Sequence, residues 1–168
     1  MPDSSPIPAL SDWQLHTAHR SQDVQLRALF AQVFGHVMGQ QECDWKYQCT
    51  DLRGSLLTKS STAEVVAFFG GMPRTFSHQG HNIQAVQNGD VMVRPQERSV
   101  FSRKGAFYQV AHHFICQHLG VQAAYAFAFG FPGPRAFRLG VKLGLYRQAG
   151  CLQQLRWTAQ PAPWQRLW

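Results

Sequence analysis

Apolar side chains change their spacing several times along the chain, and each change marks an element. Leu26, Leu29, Phe30, Val33 and Val37 recur at the period of one helix face, with Ser21 placed to cap the start and Gly35 or Gly39 to end it. A shorter helical piece follows over residues 42–48. Leu56 and Leu57, set between Gly54 and a Ser/Thr cluster, mark a strand within residues 52–62. Residues 64–69 are rich in valine and phenylalanine and read as a further strand, interrupted at Gly70-Gly71 and resumed over 72–76. Ser77-His78-Gln79-Gly80 is a turn, and a partner strand runs from Asn82 to Val93. This part of the sheet is therefore an antiparallel hairpin. Asn88-Gly89 lies inside the partner strand. Taken alone, that pair favours another turn over a β-bulge.

Beyond Pro95 the period returns to that of a helix. Phe107, Val110, Ala111, Phe114, Ile115 and Leu119 share one face of a helix that starts between Ser99 and Ala106 and ends at Gly120. Over residues 123–129, Tyr125, Phe127 and Phe129 alternate with alanines, which reads as an apolar strand central in its sheet. A Gly/Pro cluster over 130–134 precedes a helix from Arg135 to Leu143, closed by Gly144. A last strand is expected over 151–157. Residues 1–20 read as a loose lead-in, 21–157 as the domain, and 158–168 as a tail. The order predicts a mixed α/β domain, one sheet with helices packed on it.

The composition fits that reading. A chain of 168 residues is about one domain, and 45% hydrophobic with 15% charged residues describes a compact fold rather than a disordered one. The net charge of +7 points to an anionic partner, whether a nucleic acid, a membrane surface or a phosphorylated small molecule. Cys43, Cys49, Cys116 and Cys151 form no CxxC pair and fit reduced, mostly buried thiols. His78/His81 and His112/His113 lack further ligands at metal-binding spacing, so no metal is expected. The first residues lack a basic stretch followed by an apolar core, and no apolar run reaches the length of a bilayer span. A cytoplasmic protein without membrane contact is the expectation.

Chemistry concentrates in residues 90–106. A strand ends at Pro95, a loop carries the cations Arg98, Arg103 and Lys104, and Gly105 with Ala106 leads into a helix. A helix N-terminus offers unpaired N–H groups and partial positive charge, so this stretch is an anion cradle. The alternative is an ordinary strand–loop–helix connection with solvated cations. A Walker loop is absent.

Val91-Met92-Val93-Arg94-Pro95-Gln96-Glu97-Arg98 resembles motif A of the GNAT N-acetyltransferases, a strand ending near proline before an arginine-bearing loop and a helix. Phe69-Gly70-Gly71-Met72-Pro73-Arg74, and Gly130-Phe131-Pro132 with Arg135-Ala136-Phe137 and Lys142-Leu143-Gly144-Leu145-Tyr146, resemble stretches of a GNAT subgroup. The resemblance spans residues 26–157. It implies a twisted, mixed and mostly antiparallel sheet flanked by helices, with pantetheine wedged where the fourth and fifth strands splay. It also implies a bulge at Asn88-Gly89 in place of a turn, with acetyl-CoA as cofactor. Val91, Met92 and Val93 would lend backbone groups to pantetheine. Arg98, Ser102, Arg103, Lys104, Gly105 and Ala106 would hold the pyrophosphate. The chain departs from the pattern in three places. The loop glycine comes late, at Gly105, after Ser99-Val100-Phe101. Gly133 stands where an asparagine is usual, and Gly140 where a tyrosine acid is usual.

Tyr146 is the candidate to replace that tyrosine, the alternative being a packed residue. Asp90 is the candidate base for a substrate amine, since burial raises a carboxyl pKa, the alternative being a backbone-capping role at the bulge. His112 reads as a surface residue. The leading reading is an acyl-CoA-dependent N-acyltransferase acting on a small-molecule or peptide amine, with a homodimer among the expected assemblies. The second is a CoA-binding module with reduced catalysis, or half of a longer two-domain protein. The third, nucleic-acid binding, rests on charge alone and finds no motif of stacking aromatics among cations.

Overall fold

The computed structural model describes residues 12–48, 50–98 and 102–157. Five strands form one sheet, β1 (Trp13–His19), β2 (Leu52–Lys59), β3 (Val65–His78), β4 (His81–Val93) and β5 (Phe127–Gly130), ordered as they follow in the chain. The first four are antiparallel neighbours, and β5 runs parallel to β4. Helices α1 (Asp23–Phe34) and α2 (Gln40–Lys46) precede β2, α3 (Ala106–His118) crosses from β4 to β5, and α4 (Pro134–Lys142) follows.

The helical periods placed two cores on opposite faces. Leu26, Leu29 and Phe30 of α1 pack on Phe68, Met72 and Met92. Val110, Ala111 and Phe114 of α3 pack on Val66, Phe69 and Val86. All these side chains are at most 7% exposed, and each apart from the small Ala111 contributes about 1.5–3 kcal/mol through its burial. Arg53 of β2 is fully buried beneath α1, where its Nε and Nη2 donate to Asp23 at 2.7 and 3.0 Å. Burial pushes the Asp23 carboxyl up, but the hydrogen bonds and charge of Arg53 outweigh it and hold it below the usual carboxylate range.

Several expectations are met closely. Gly35 ends α1 in the left-handed conformation (φ 76°). The β3–β4 hairpin closes on Gln79 and Gly80, both with positive φ, the signature of a two-residue type I′ turn.

Others are corrected. The stretch read as a loose lead-in carries β1, whose polar sequence suits an edge and whose pairing is supplied by β2. A 3-10 turn over Arg20–Gln22 displaces Ser21 from the cap of α1. Gly70-Gly71 does not interrupt β3. A Cβ on Gly70 would collide with the Gly89 carbonyl and the Tyr47 hydroxyl, and one on Gly71 with the Phe114 ring, so these glycines serve close packing within a continuous strand. The strand at 123–129 shrinks to Phe127–Gly130 and lies at the edge of the sheet, with Phe127 40% exposed. Its aromatics pack edge-on against Phe76 instead of entering a core. Residues 151–157 form no strand and are exposed. Of the described cysteines only Cys43 is buried, while Cys116 sits on the outer face of α3 and Cys151 beyond α4. Expectations for residues 1–11, Cys49, residues 99–101 and the tail lie outside the described residues. Among those described, no helix is long and apolar enough to cross a membrane.

Candidate functional site

The site begins with an irregularity in β4. The register passes from Gly70 opposite Gly89 to Phe68 opposite Met92, so Asp90 and Val91 together face Phe69. This is a β-bulge, and its left-handed residue is Asp90 (φ 50°). The Asn-Gly pair marked the place, and the extra residue follows directly after Gly89. The Asp90 carboxylate accepts hydrogen bonds from Lys46 Nζ and Tyr47 Oη, both at 3.1 Å, and so ties α2 to the bulge. Burial, followed by the Asp90 charge, holds the Tyr47 hydroxyl well above its ordinary pKa.

The bulge coincides with the end of strand pairing. β5 lies against β4 only from Ala85–Phe127 to Asn88–Gly130. Among the described residues no strand covers the edge of Gly89–Val93 that faces away from β3. The gap opens into a cavity of about 570 Å³. It is lined by Val91 and Val93 of β4, Glu97 after it, Phe107 and Tyr108 of α3, and Leu139 of α4. Met92 points the opposite way, into the core beneath α1, so only its backbone belongs to the site.

The loop after β4 enters the same cavity. Pro95–Glu97 forms a 3-10 turn, and Arg98 Nε donates to the Val93 carbonyl at 2.7 Å. That bond anchors the guanidinium beside the cleft, which Arg98 and Ser102 both line. Ser102 Oγ accepts the Lys104 N–H at 3.2 Å, and Gln109 Nε2 donates to the Arg103 carbonyl at 2.7 Å. Arg103 and Lys104 are exposed on this turn, outside the cavity wall. Gly105 caps α3 in an extended conformation (φ −76°) that any residue can adopt, and with Ala106 it is buried. Among the described residues no side chain caps α3, which leaves its first-turn N–H groups suited to an anion.

Arg135 entered the sequence reading only within the GNAT-like stretch Arg135-Ala136-Phe137, without a site role. It lines the same cleft as Arg98 because α4 is folded against that cleft. Its other sequence signal is its place just after the Gly/Pro cluster, on the cleft-lining stripe with Leu139. Gly133 also lines the cavity, and a Cβ there would meet nothing within 4 Å, so its lack of a side chain widens the cleft.

By sequence, no family model matches the chain and no curated protein is a match. By structure, it superposes on a Trypanosoma brucei acetyltransferase with a TM-score of 0.62 at 14% identity, covering 87% of this chain and 100% of that one. It superposes on glucosamine-6-phosphate N-acetyltransferase from Arabidopsis thaliana with a TM-score of 0.59 at 10% identity, covering 85% and 97%. The chain has the GNAT fold. Against Saccharomyces cerevisiae N-myristoyltransferase with bound myristoyl-CoA the TM-score is 0.41 at 18% identity, and the chain spans 26% of that protein's length. On the GNAT frame, the splayed strands, the bulge and the loop before α3 stand together, as the resemblance implied.

Neither candidate for proton transfer lines the cleft. Asp90 turns towards α2. Tyr146 packs on Phe107 (ring centroids 6.2 Å) and over Gly140, and burial pushes its hydroxyl up to about 12. A second cavity of about 630 Å³ lies on the α2 side of the sheet, lined by Asp44, Trp45, Gln48 and Arg74.

Proposed function

We propose that the chain binds an acyl-CoA thioester in the β4–β5 cleft and transfers the acyl group to an amine, with acetyl-CoA as the donor. The observation that carries this reading is the Gly89–Val93 stretch of β4, which no described strand covers, opening on a cavity that holds Arg98 and Arg135. A pantetheine arm carries two amides, which suit such an edge as a missing strand would. Its pyrophosphate suits the uncapped start of α3 beside Arg98. The solved structures it resembles include acetyltransferases by name, which supports the same reading.

The transfer needs little from side chains. The neutral amine attacks the thioester carbon, a C–N bond forms, the C–S bond breaks, and the nitrogen's proton is released while the sulfur takes one. Backbone N–H groups at the bulge polarise the carbonyl, and the cleft orients the thioester. A phenol at about 12 is a weaker acid than an ordinary thiol at about 8.5, so Tyr146 is a poor proton source for the departing thiolate. Asp90, with both carboxylate oxygens engaged, acts by holding the bulge to α2.

The test is a thermal melt with CoA and acetyl-CoA, followed by thiol release over a panel of amines. CoA raises the melting temperature of the wild type, and Arg98→Glu removes most of that rise. No shift at saturating CoA would end this reading. Binding without turnover of any amine would leave a CoA-binding module in its place.

A further inference from the structure

The net charge is divided unequally along the chain. All nine acidic residues lie at or before Glu97, whereas nine of the sixteen lysines and arginines lie from Arg98 onward. Residues 98–168 thus carry +9 without a single acid, and residues 1–97 carry −2. The fold gives that division a place, because α3, α4 and the residues flanking them belong to the cationic part and line most of the cleft, with Val33 and Phe34 of α1, the end of β4 and Glu97 supplying the rest.

On α4 the cations are ordered. Arg135, Arg138 and Lys142 recur at i, i+3 and i+7, one face of the helix, and all three are exposed. Arg135 lines the cleft, while Arg138 and Lys142 continue the row on the exposed side of α4, outside the cavity lining. Ion pairs among the described residues use cations that precede Arg98, so none neutralises this row.

CoA does not account for so much charge. Its pyrophosphate and 3′-phosphate bring about four negative charges, which Arg98, Arg135 and the loop cations Arg103 and Lys104 match. Five cations are left over, and of these Arg138 and Lys142 lie on α4, the helix that lines a cleft which on the proposed reading takes a pantetheine arm. A pantetheine arm also occurs fixed to a serine of a small acidic protein, as phosphopantetheine. Such a protein would set its acidic surface against this side of α4 while its arm enters the cleft. A nucleic acid or an anionic membrane would meet the same charge, but neither has an arm to place in the cleft.

We propose that Arg138 and Lys142 form a docking face for a small acidic carrier protein, whose phosphopantetheine-bound acyl group enters the same cleft as that of CoA. This rests on the acyl-CoA reading above. The transfer balances as before, with the acyl group passing from the carrier's sulfur to an amine nitrogen and a free carrier thiol left behind.

The test uses the full chain and fluorescence anisotropy with a labelled acidic acyl carrier protein, holo (arm attached) or apo (arm absent), with duplex DNA and anionic phospholipid vesicles as further probes. CoA binding is followed in parallel by thermal shift. The holo carrier should bind at least about tenfold more tightly than the apo form, a difference of about 1.4 kcal/mol. The double reversal Arg138→Glu/Lys142→Glu should weaken holo binding at least about tenfold and change CoA affinity less than about twofold, since charges outside the cavity lining act on the partner that reaches them. Equal binding of holo and apo forms overturns the proposal. So does equal loss of CoA and carrier binding on reversal, or DNA or vesicles binding as tightly as the holo carrier. Intact CoA binding with no carrier binding sinks this proposal alone, whereas a wild type that binds no CoA sinks the acyl-CoA reading beneath it.

Discussion

Tyr146 lies with its ring over Gly140, in the space that any side chain at position 140 would need. The glycine of α4 and the tyrosine that follows it are therefore one packing unit, and neither is legible without the other. Gly140→Ala should gain helix propensity of about 1 kcal/mol and lose more than that to overpacking, for a net loss of about 1–2 kcal/mol. In a Tyr146→Ala background the same change should become stabilising. Urea denaturation of the four-member cycle reads this coupling. Tyr146→Phe keeps the packing, so kcat should fall less than about threefold. A loss of 10²–10⁴-fold, the usual worth of an acid or base, would return Tyr146 to the chemistry. The buried Arg53 gives a second residue-scale prediction. Arg53→Met leaves Asp23 charged and unpaired, at a cost of about 3–5 kcal/mol, and adding Asp23→Leu should recover much of it.

Helix α3 joins the cleft to the rest of the sheet and carries a titratable contact on its inner side. His113 Nδ1 lies 2.8 Å from Ser55 Oγ of β2, and His118 Nε2 is buried without a partner. Burial lowers both imidazole pKa values. The charge of His16 adds to this at His113, and those of His113 and His19 at His118. The unfolded chain therefore binds protons more readily than the folded one. This contribution to stability is complete above the ordinary imidazole pKa of about 6.5 and is lost as pH falls from there towards the lower folded values. The melting temperature should drop between about pH 7.5 and 5.5, and His113→Gln should flatten that slope. An unchanged slope in this variant would place the pH dependence elsewhere. The second element that matters is β5. Four residues pair with β4 and then leave it, which is what opens the gap beside Gly89–Val93.

Across the molecule, a nearly neutral, slightly acidic N-terminal part supplies most of the sheet, and a wholly cationic remainder supplies most of the cleft. CoA binding should accordingly weaken as ionic strength rises towards about 1 M, where the screening length shrinks to about 3 Å. A flat response over that range would mean that backbone contacts, not charge, carry the affinity.

Local pattern alone determined the helices at Asp23–Phe34, Ala106–His118 and Pro134–Lys142, the β3–β4 hairpin, and the cationic loop between Pro95 and Gly105. These follow from side-chain period and turn chemistry, which act over a few residues. The resemblance added the bulge, because Asn88-Gly89 by itself reads as a turn. Only the tertiary structure decided the rest. β1 needs the edge of β2 to be a strand at all. The apolar alternation at Phe127–Phe129 suggested a central strand, yet its place in the sheet depends on what pairs with it, and here that is β4 alone. Arg135 joins Arg98 in lining one cleft, and Tyr146 packs over Gly140, through folding that no local period encodes. The cleft was thus half legible in the sequence. Its β4 and loop side lies in one continuous segment, and its α4 side is brought there by folding.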